Sequence, residues 1–358
     1  MVDSVSALAS FYRGKRVLVT GHTGFKGAWL ALWLLEMGCE VTGFSLAPQE
    51  PSLFGLLDLQ SRLRSVTGDI RNKAALEKTF AAAKPELVFH LAAQSLVIPS
   101  YDEPLETFAT NIMGTLNVLE CARRAGSVKA IVNITTDKCY ENDESAKSFR
   151  ETDKLGGDDP YSSSKAAAEI VSHAYRKSFL AREGIAMATA RAGNIIGGGD
   201  FAAHRLIPDI VRAALSNEAV GVRNPASIRP WQYVLDALHG YLLLGQRLSE
   251  KGKEFAEAFN FGPDEADVPA LALAQQFAKA MQAPAPEVTP QEGAVHEART
   301  LKLDNAKAKK NLLWRPRLAT KAAIEWSAKW YYEYKVRKDS IATFTRDQLA
   351  TYSREIAS

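Results

Sequence analysis

Two short segments bring together side chains able to move protons. Tyr161-Ser-Ser-Ser-Lys165 sets a phenol and an ammonium one helical turn apart, on one face. A lysine beside a tyrosine lowers the phenol pKa, so the phenolate can take a proton from a hydroxyl. The spacing alone is cheap. It recurs at Tyr331/Lys335 and Tyr334/Lys338, which read as solvated helix faces. Thr135-Thr136-Asp137-Lys138 adds a hydroxyl to orient a substrate, a carboxyl to act as acid and an amine to act as base in a closed site. Anywhere else such an Asp–Lys pair would read as a loop cap. Its place beside the Tyr/Lys helix favours chemistry.

A third segment is built to hold an anion. Gly21-His22-Thr23-Gly24-Phe25-Lys26-Gly27 lies between an apolar run, Arg16–Thr20, and a run of helix formers, Gly24–Met37. Its glycines allow a tight turn and close approach of backbone to a pyrophosphate, which the helix N-terminus then attracts. Within a strand–loop–helix–strand unit this is a dinucleotide-binding signal. The acidic residue expected at the end of the second strand is absent. Ser45 stands there, so the residues themselves leave NAD and NADP open, and His22 and Lys26 add positive potential. Asp69 and Ile70 could border an adenine.

These segments need a scaffold, and the patterning supplies one. Strand-like runs at Arg16–Thr20, Glu40–Phe44, Ser65–Ile70, Glu86–Ala92, Lys129–Thr135 and Ala186–Ala192 alternate with helix-like runs at Lys73–Ala83, Asn111–Ala125 and Tyr161–Arg182. This predicts an α/β fold: a Rossmann-like, doubly wound parallel sheet with ligands at the carboxyl ends of its strands. Phe255–Phe261 reads as a late strand returning to that sheet. The expected organisation is a dinucleotide-binding domain over 1–193 with a returning segment at about 228–262. A smaller mixed α/β lobe takes 194–227 and 263–358, broken by a Pro-containing stretch, Ala283–Pro290, and ending in a charged surface extension, Lys335–Ser358.

Composition narrows the class without choosing it. Among 358 residues, 46% are hydrophobic and 24% charged, as in ordinary globular chains, which excludes a disordered or fibrous protein. Lys+Arg 44 against Asp+Glu 41 is too balanced for a nucleic-acid or membrane-surface partner. The longest apolar run, Ala28–Leu35, is far below the ~20 residues of a membrane span. Met1–Ser10 has no signal-peptide pattern, and three scattered cysteines fit a reducing cytoplasm and no zinc or other metal site.

Taken together, the segments GHTGFKGAWLALWL (21–34), HLAAQSLV (90–97), TNIMGTLNVLE (110–120), NITTDKCY (133–140), DDPYSSSKAAAE (158–169), ARAGNIIGGGDF (190–201), RLIPDIVRA (205–213) and IRPWQYVLDAL (228–238) resemble the extended short-chain dehydrogenase/reductase family. Within it they resemble the nucleotide-sugar 4,6-dehydratases. Asp137-Lys138 resembles the branch acting on CDP-glucose, where the dTDP-glucose branch carries Asp-Glu. Phe201 stands where close relatives are expected to have Trp. The resemblance implies NAD as cofactor, with Leu91, Ala92, Ala93, Gln94, Thr110 and Thr135 beside it. It implies a catalytic set of Thr136, Asp137, Lys138, Tyr161 and Lys165. Asn194, Phe201, Arg205, Leu206, Arg223 and Arg229 would hold the nucleotide sugar. It further implies a homodimer or higher homo-oligomer through Asn111–Ala125 and Tyr161–Leu180, and a role in deoxysugar synthesis for a surface polysaccharide. A nucleotide-sugar epimerase or reductase on the same fold is the alternative, and a non-catalytic NAD-binding regulator a remoter one.

Overall fold

The computed structural model describes residues 4–144, 147–265, 268–289 and 300–357. Seven strands form one all-parallel sheet: β1 (Arg16–Thr20), β2 (Glu40–Ser45), β3 (Arg64–Thr67), β4 (Leu87–His90), β5 (Ala130–Ile134), β6 (Ala186–Ala192) and β7 (Ala258–Phe261). Their order is β7-β6-β5-β4-β1-β2-β3. The chain order reverses between β1 and β4, where a crevice must open at the strand ends. The central strands β4, β5 and β6 are buried at every residue. That explains why β4 and β5 read as mostly apolar runs instead of alternating ones.

The outer strands depart from the pattern. β3 stops at Thr67, so Asp69 and Ile70 lie in the loop beyond it. Gly68 turns away there, tucked against Phe44, where a Cβ would come within 2.5 Å of the ring. β7 starts at Ala258 because Gly252–Phe255 forms a 3-10 turn. The helix expected over Asn111–Ala125 opens with a wide π-type turn, Ala109–Gly114, and the helix from Pro160 closes with another, Arg176–Leu180.

After β6 the chain adds the helices Leu206–Leu215 and Ala270–Ala280 and two short parallel ladders, Gly221–Val222 with Glu287–Val288 and Ile195–Ile196 with Gln232–Tyr233. Pro290, at the end of the expected Pro-containing break, lies outside the described residues, as do Met1–Asp3 and Ser358.

The C-terminal segment is not a surface extension. Its helix, Ile341–Ala357, buries Ile341, Thr345, Gln348, Leu349 and Tyr352, a helical stripe concealed by charged residues on the other face. Trp330 donates to Thr345 Oγ1 at 2.8 Å, and Tyr352 donates to Asp236 at 2.6 Å. Nor are Tyr331 and Tyr334 solvated. Both are buried in the helix Thr320–Val336.

Candidate active site

A cavity of about 1250 Å³ opens at the carboxyl edge of the sheet. Every residue singled out from the sequence as a site residue lines it, except His22. The loop after β1 forms one wall. Gly21 has φ +76°, and a Cβ there would meet Ala92 N at 2.8 Å. A Cβ on Gly27 would come within 2.0 Å of the Gly21 carbonyl. Gly24 is the N-cap of the helix Phe25–Glu36 and supplies no side-chain cap, so the helix end faces the cavity as a bare anion cradle. This loop fits a dinucleotide pyrophosphate. Thr23 Oγ1 and Ser45 Oγ lie 2.8 Å apart at the end of β2. Past β3, Asp69 accepts from Arg71 Nε at 2.8 Å, and that pairing holds its pKa low. Leu91 to Gln94 continue the wall. Gln94 is fixed by Asn111 Oδ1, which accepts from its backbone N–H at 2.9 Å.

His22 adds no positive potential. Its ring is fully buried over Gly43, it pairs with Ser65 Oγ at 2.7 Å, and burial pushes its pKa down to about 4. Gly43 in the middle of β2 is there to make room: a Cβ would lie 2.2 Å from the imidazole. Lys26 does face the cavity. Burial and the like charges of Lys165 and Arg205 bring it to about 7.

The proton-transfer residues meet across the cavity from two elements. Asp159 caps the helix Pro160–Tyr175, accepting from Ser162 N at 2.8 Å, which starts that helix with Tyr161 and Lys165 pointing to the site. Thr136 and Asp137 follow β5, and a single 3-10 turn, Asp137–Cys139, carries Lys138. Thr136 Oγ1 donates to Asp137 Oδ1 at 3.0 Å, and its hydroxyl helps to lower the pKa of the Tyr161 phenol. Asp137 is 1% exposed, and burial lifts its carboxyl to about 6, which suits a proton donor. Its Oδ2 is buried with no partner, while Arg229 lends it positive charge.

Lys165 does not act on Tyr161 as its spacing suggests. Its Nζ donates to the Ile134 carbonyl at 3.4 Å, and burial lowers it to about 8. Burial outweighs all else at Tyr161, whose phenol is pushed up to about 12. Thr136 and Arg205 pull the other way.

Residues that follow β6 line the rest of the cavity. Arg229 is 5% exposed and donates to the Ile228 carbonyl at 3.0 Å. Arg205 precedes the helix Leu206–Leu215 and spans the opening, donating to Asp200 Oδ2 and to Ser95 Oγ, each at 2.9 Å. Phe201 lines the cavity while its ring rests on Trp330, Tyr331 and Tyr334 at 5.3 to 6.3 Å. Asn194, Leu206 and Arg223 complete this wall. Reasoning from sequence missed Arg71, which no motif marks, and Ser95 and Asp200, which lie within HLAAQSLV (90–97) and ARAGNIIGGGDF (190–201) but were given no role there. It also missed Tyr331, although the Tyr/Lys recurrence flagged that position for another reason.

The chain matches the family model described as GDP-mannose 4,6 dehydratase over residues 18–326. It is 45% identical over 350 residues to a CDP-glucose 4,6-dehydratase of Salmonella typhimurium, covering 96% of this chain and 97% of that one. Among solved structures, a dTDP-glucose 4,6-dehydratase from Streptomyces venezuelae with NAD bound is 25% identical, with a TM-score of 0.78 over 90% of this chain and 98% of that one. A UDP-glucose 4-epimerase from Thermotoga maritima with UDP-glucose is also 25% identical, with a TM-score of 0.77 over 90% and 99%.

Proposed function

Since this chain belongs to the GDP-mannose 4,6 dehydratase family of the extended short-chain dehydrogenases/reductases, we propose that it converts CDP-glucose to CDP-4-dehydro-6-deoxy-glucose by eliminating water. The observation that carries this is the near full-length similarity to the Salmonella enzyme. The Thr136-Asp137-Lys138 turn facing Tyr161 within one cavity supports it.

Gly21, Gly24 and Gly27 would hold NAD in their cradle, where it would supply a hydride acceptor for C4 and a hydride donor for C6. Tyr161 accepts the proton of the 4-hydroxyl, and Thr136 shares that hydroxyl. Because burial holds the phenol high, the stabilisation of its phenolate falls to Thr136 and Arg205. Lys165 would hold the cofactor ribose. The 4-ketone acidifies the C5 proton, which Lys138 removes. Asp137, lifted into the range of a donor, protonates the departing 6-hydroxyl. Arg229 grips the diphosphate and Asn194 reaches the diphosphate or sugar, with Phe201, Arg205, Leu206 and Arg223 around the nucleotide. The division of labour is a cofactor part, 1–193 with 228–262, and a substrate lobe from the remainder.

The protein works as a homodimer or larger homo-oligomer. Met113 (54% exposed), Ile170 (59%) and Phe179 (46%) support this, as apolar residues on the two helical segments expected to pair. It works in the cytoplasm, a setting supported by three buried, unpaired cysteines, Cys39, Cys121 and Cys139. Among the described residues no helix is long and apolar enough to cross a membrane.

Turnover of CDP-, dTDP-, UDP- and GDP-glucose under one set of conditions tests the substrate. CDP-glucose is expected to have the highest kcat/KM. A higher value for another nucleotide would reassign it.

A further inference from the structure

Behind the acid–base turn, outside the large cavity, lies a buried ion pair to which the reaction gives no part. Glu169 and Arg191 are each 4% exposed and meet at 2.8 Å. Glu169 sits one helical turn beyond Lys165 and two beyond Tyr161. Its carboxylate accepts from Thr135 Oγ1 at 2.5 Å, from Thr189 Oγ1 at 2.8 Å and from Arg191 through both Nε and a terminal nitrogen. The other terminal nitrogen of Arg191 donates to Tyr140 OH at 2.8 Å, and its guanidinium lies 4.9 Å over the Tyr140 ring. Tyr140 in turn donates to Asn260 Oδ1 on β7 at 2.7 Å and stacks on Phe149.

Thr135 immediately precedes Thr136-Asp137-Lys138, and Tyr140 follows two residues after. The network therefore holds both ends of the turn, and it anchors that turn to the helix carrying Tyr161. A buried pair of this kind contributes little net stability over apolar residues of equal volume, but its multiple directed bonds fix a geometry. We propose that Glu169 and Arg191 are positioning residues that set the turn of Asp137 and Lys138, which eliminates water, against the helix of Tyr161 and Lys165, which oxidises C4. This rests on the dehydratase reading above.

The two halves respond differently when the clamp loosens. Tyr161 stays fixed by its own capped helix, whereas the turn is a single 3-10 loop. Elimination slows and oxidation at C4 persists, so the enzyme waits with its substrate as the 4-ketone and its cofactor reduced.

The test uses Tyr140→Phe, which keeps the ring and deletes the hydroxyl joining Arg191 to Asn260, and Glu169→Gln, which breaks the pair. Steady-state absorbance at 340 nm, kcat and KM are measured with CDP-glucose on the full-length protein. For Tyr140→Phe, kcat should fall about tenfold with KM within about twofold, as for a small misplacement of reacting groups. The fraction of reduced cofactor during turnover should rise about threefold or more. Glu169→Gln should move the same way and further. If it fails to fold, by thermal melt, Tyr140→Phe decides alone. A reduced fraction equal to or below that of the unaltered protein overturns the proposal, whatever happens to kcat. If the unaltered protein makes no 4-keto-6-deoxy product from CDP-glucose, the functional reading fails instead.

Discussion

Thr136 Oγ1 donates to Asp137 Oδ1 at 3.0 Å, and the same hydroxyl pulls down the pKa of the Tyr161 phenol. One hydroxyl thus serves the base of the oxidation and the acid of the elimination. When Asp137 holds a proton it can donate to Thr136 and free the threonine proton for the phenolate.

Thr136→Val removes the bond to Asp137 and the hydroxyl that lowers the Tyr161 pKa, and keeps the side-chain volume. The phenol loses the neighbour that lowers its pKa, so the rising limb of the kcat–pH profile moves to higher pH by about one unit. Thr136→Ser keeps the hydroxyl and should keep the profile. An unshifted limb in the valine variant would remove Thr136 from the oxidation step.

Lys138→Met separates the two half-reactions. Oxidation at C4 is expected to persist, seen as reduced cofactor formed on mixing with CDP-glucose. Release of 4-keto-6-deoxy product should fall by about 10²–10⁴, the usual contribution of a positioned base. Unchanged product release would refute its role.

How far these roles were legible in the sequence depends on what each residue does. The strands announced themselves because a parallel sheet buries both faces, as in β4 (Leu87–His90) and β5 (Ala130–Ile134). The glycine loop and Tyr161/Lys165 were legible because their chemistry needs fixed spacing within one segment. Glu169 and Arg191 were not, since their partnership is made across 22 residues by strand and helix packing. His22 misled because a histidine in a phosphate loop looks cationic, and only the space above Gly43 shows it buried and neutral. The helix Ile341–Ala357 was misread because Thr345 and Gln348, both buried, interrupt its apolar stripe with polar residues.

Tyr331 makes that last point testable. Its hydroxyl accepts from Asp200 N at 2.9 Å and donates to the Asp200 carbonyl at 2.7 Å. The loop so held carries Asp200, the partner of Arg205. Tyr331→Phe strands buried backbone groups and should lower unfolding stability by about 1–3 kcal/mol in urea. KM for CDP-glucose should rise with it. A variant as stable as the parent, with unchanged KM, would return Tyr331 to the solvated face.

Asp236 locks the C-terminal helix in place, accepting from Tyr352, Arg317 N and Leu318 N. Burial raises its carboxyl to about 6, above the ~3.9 of an unfolded chain. A raised acid pKa favours the folded state below the unfolded value, and that contribution is lost as pH rises through about 6. Asp236→Asn cannot titrate. It should be less stable than the parent at pH 5, with the gap narrowing by about 1.4 kcal/mol by pH 8. A gap that does not change with pH would mean Asp236 does not titrate in this range.

The central claim is elimination from CDP-glucose with no net use of cofactor. The direct measurement is NMR of the product together with absorbance at 340 nm, after incubating the protein with CDP-glucose and NAD. The account predicts complete conversion to CDP-4-dehydro-6-deoxy-glucose, a solvent proton at C5 having replaced the original one, and no accumulation of NADH. A C4-epimerised CDP-sugar, or NADH formed in proportion to product, would contradict it.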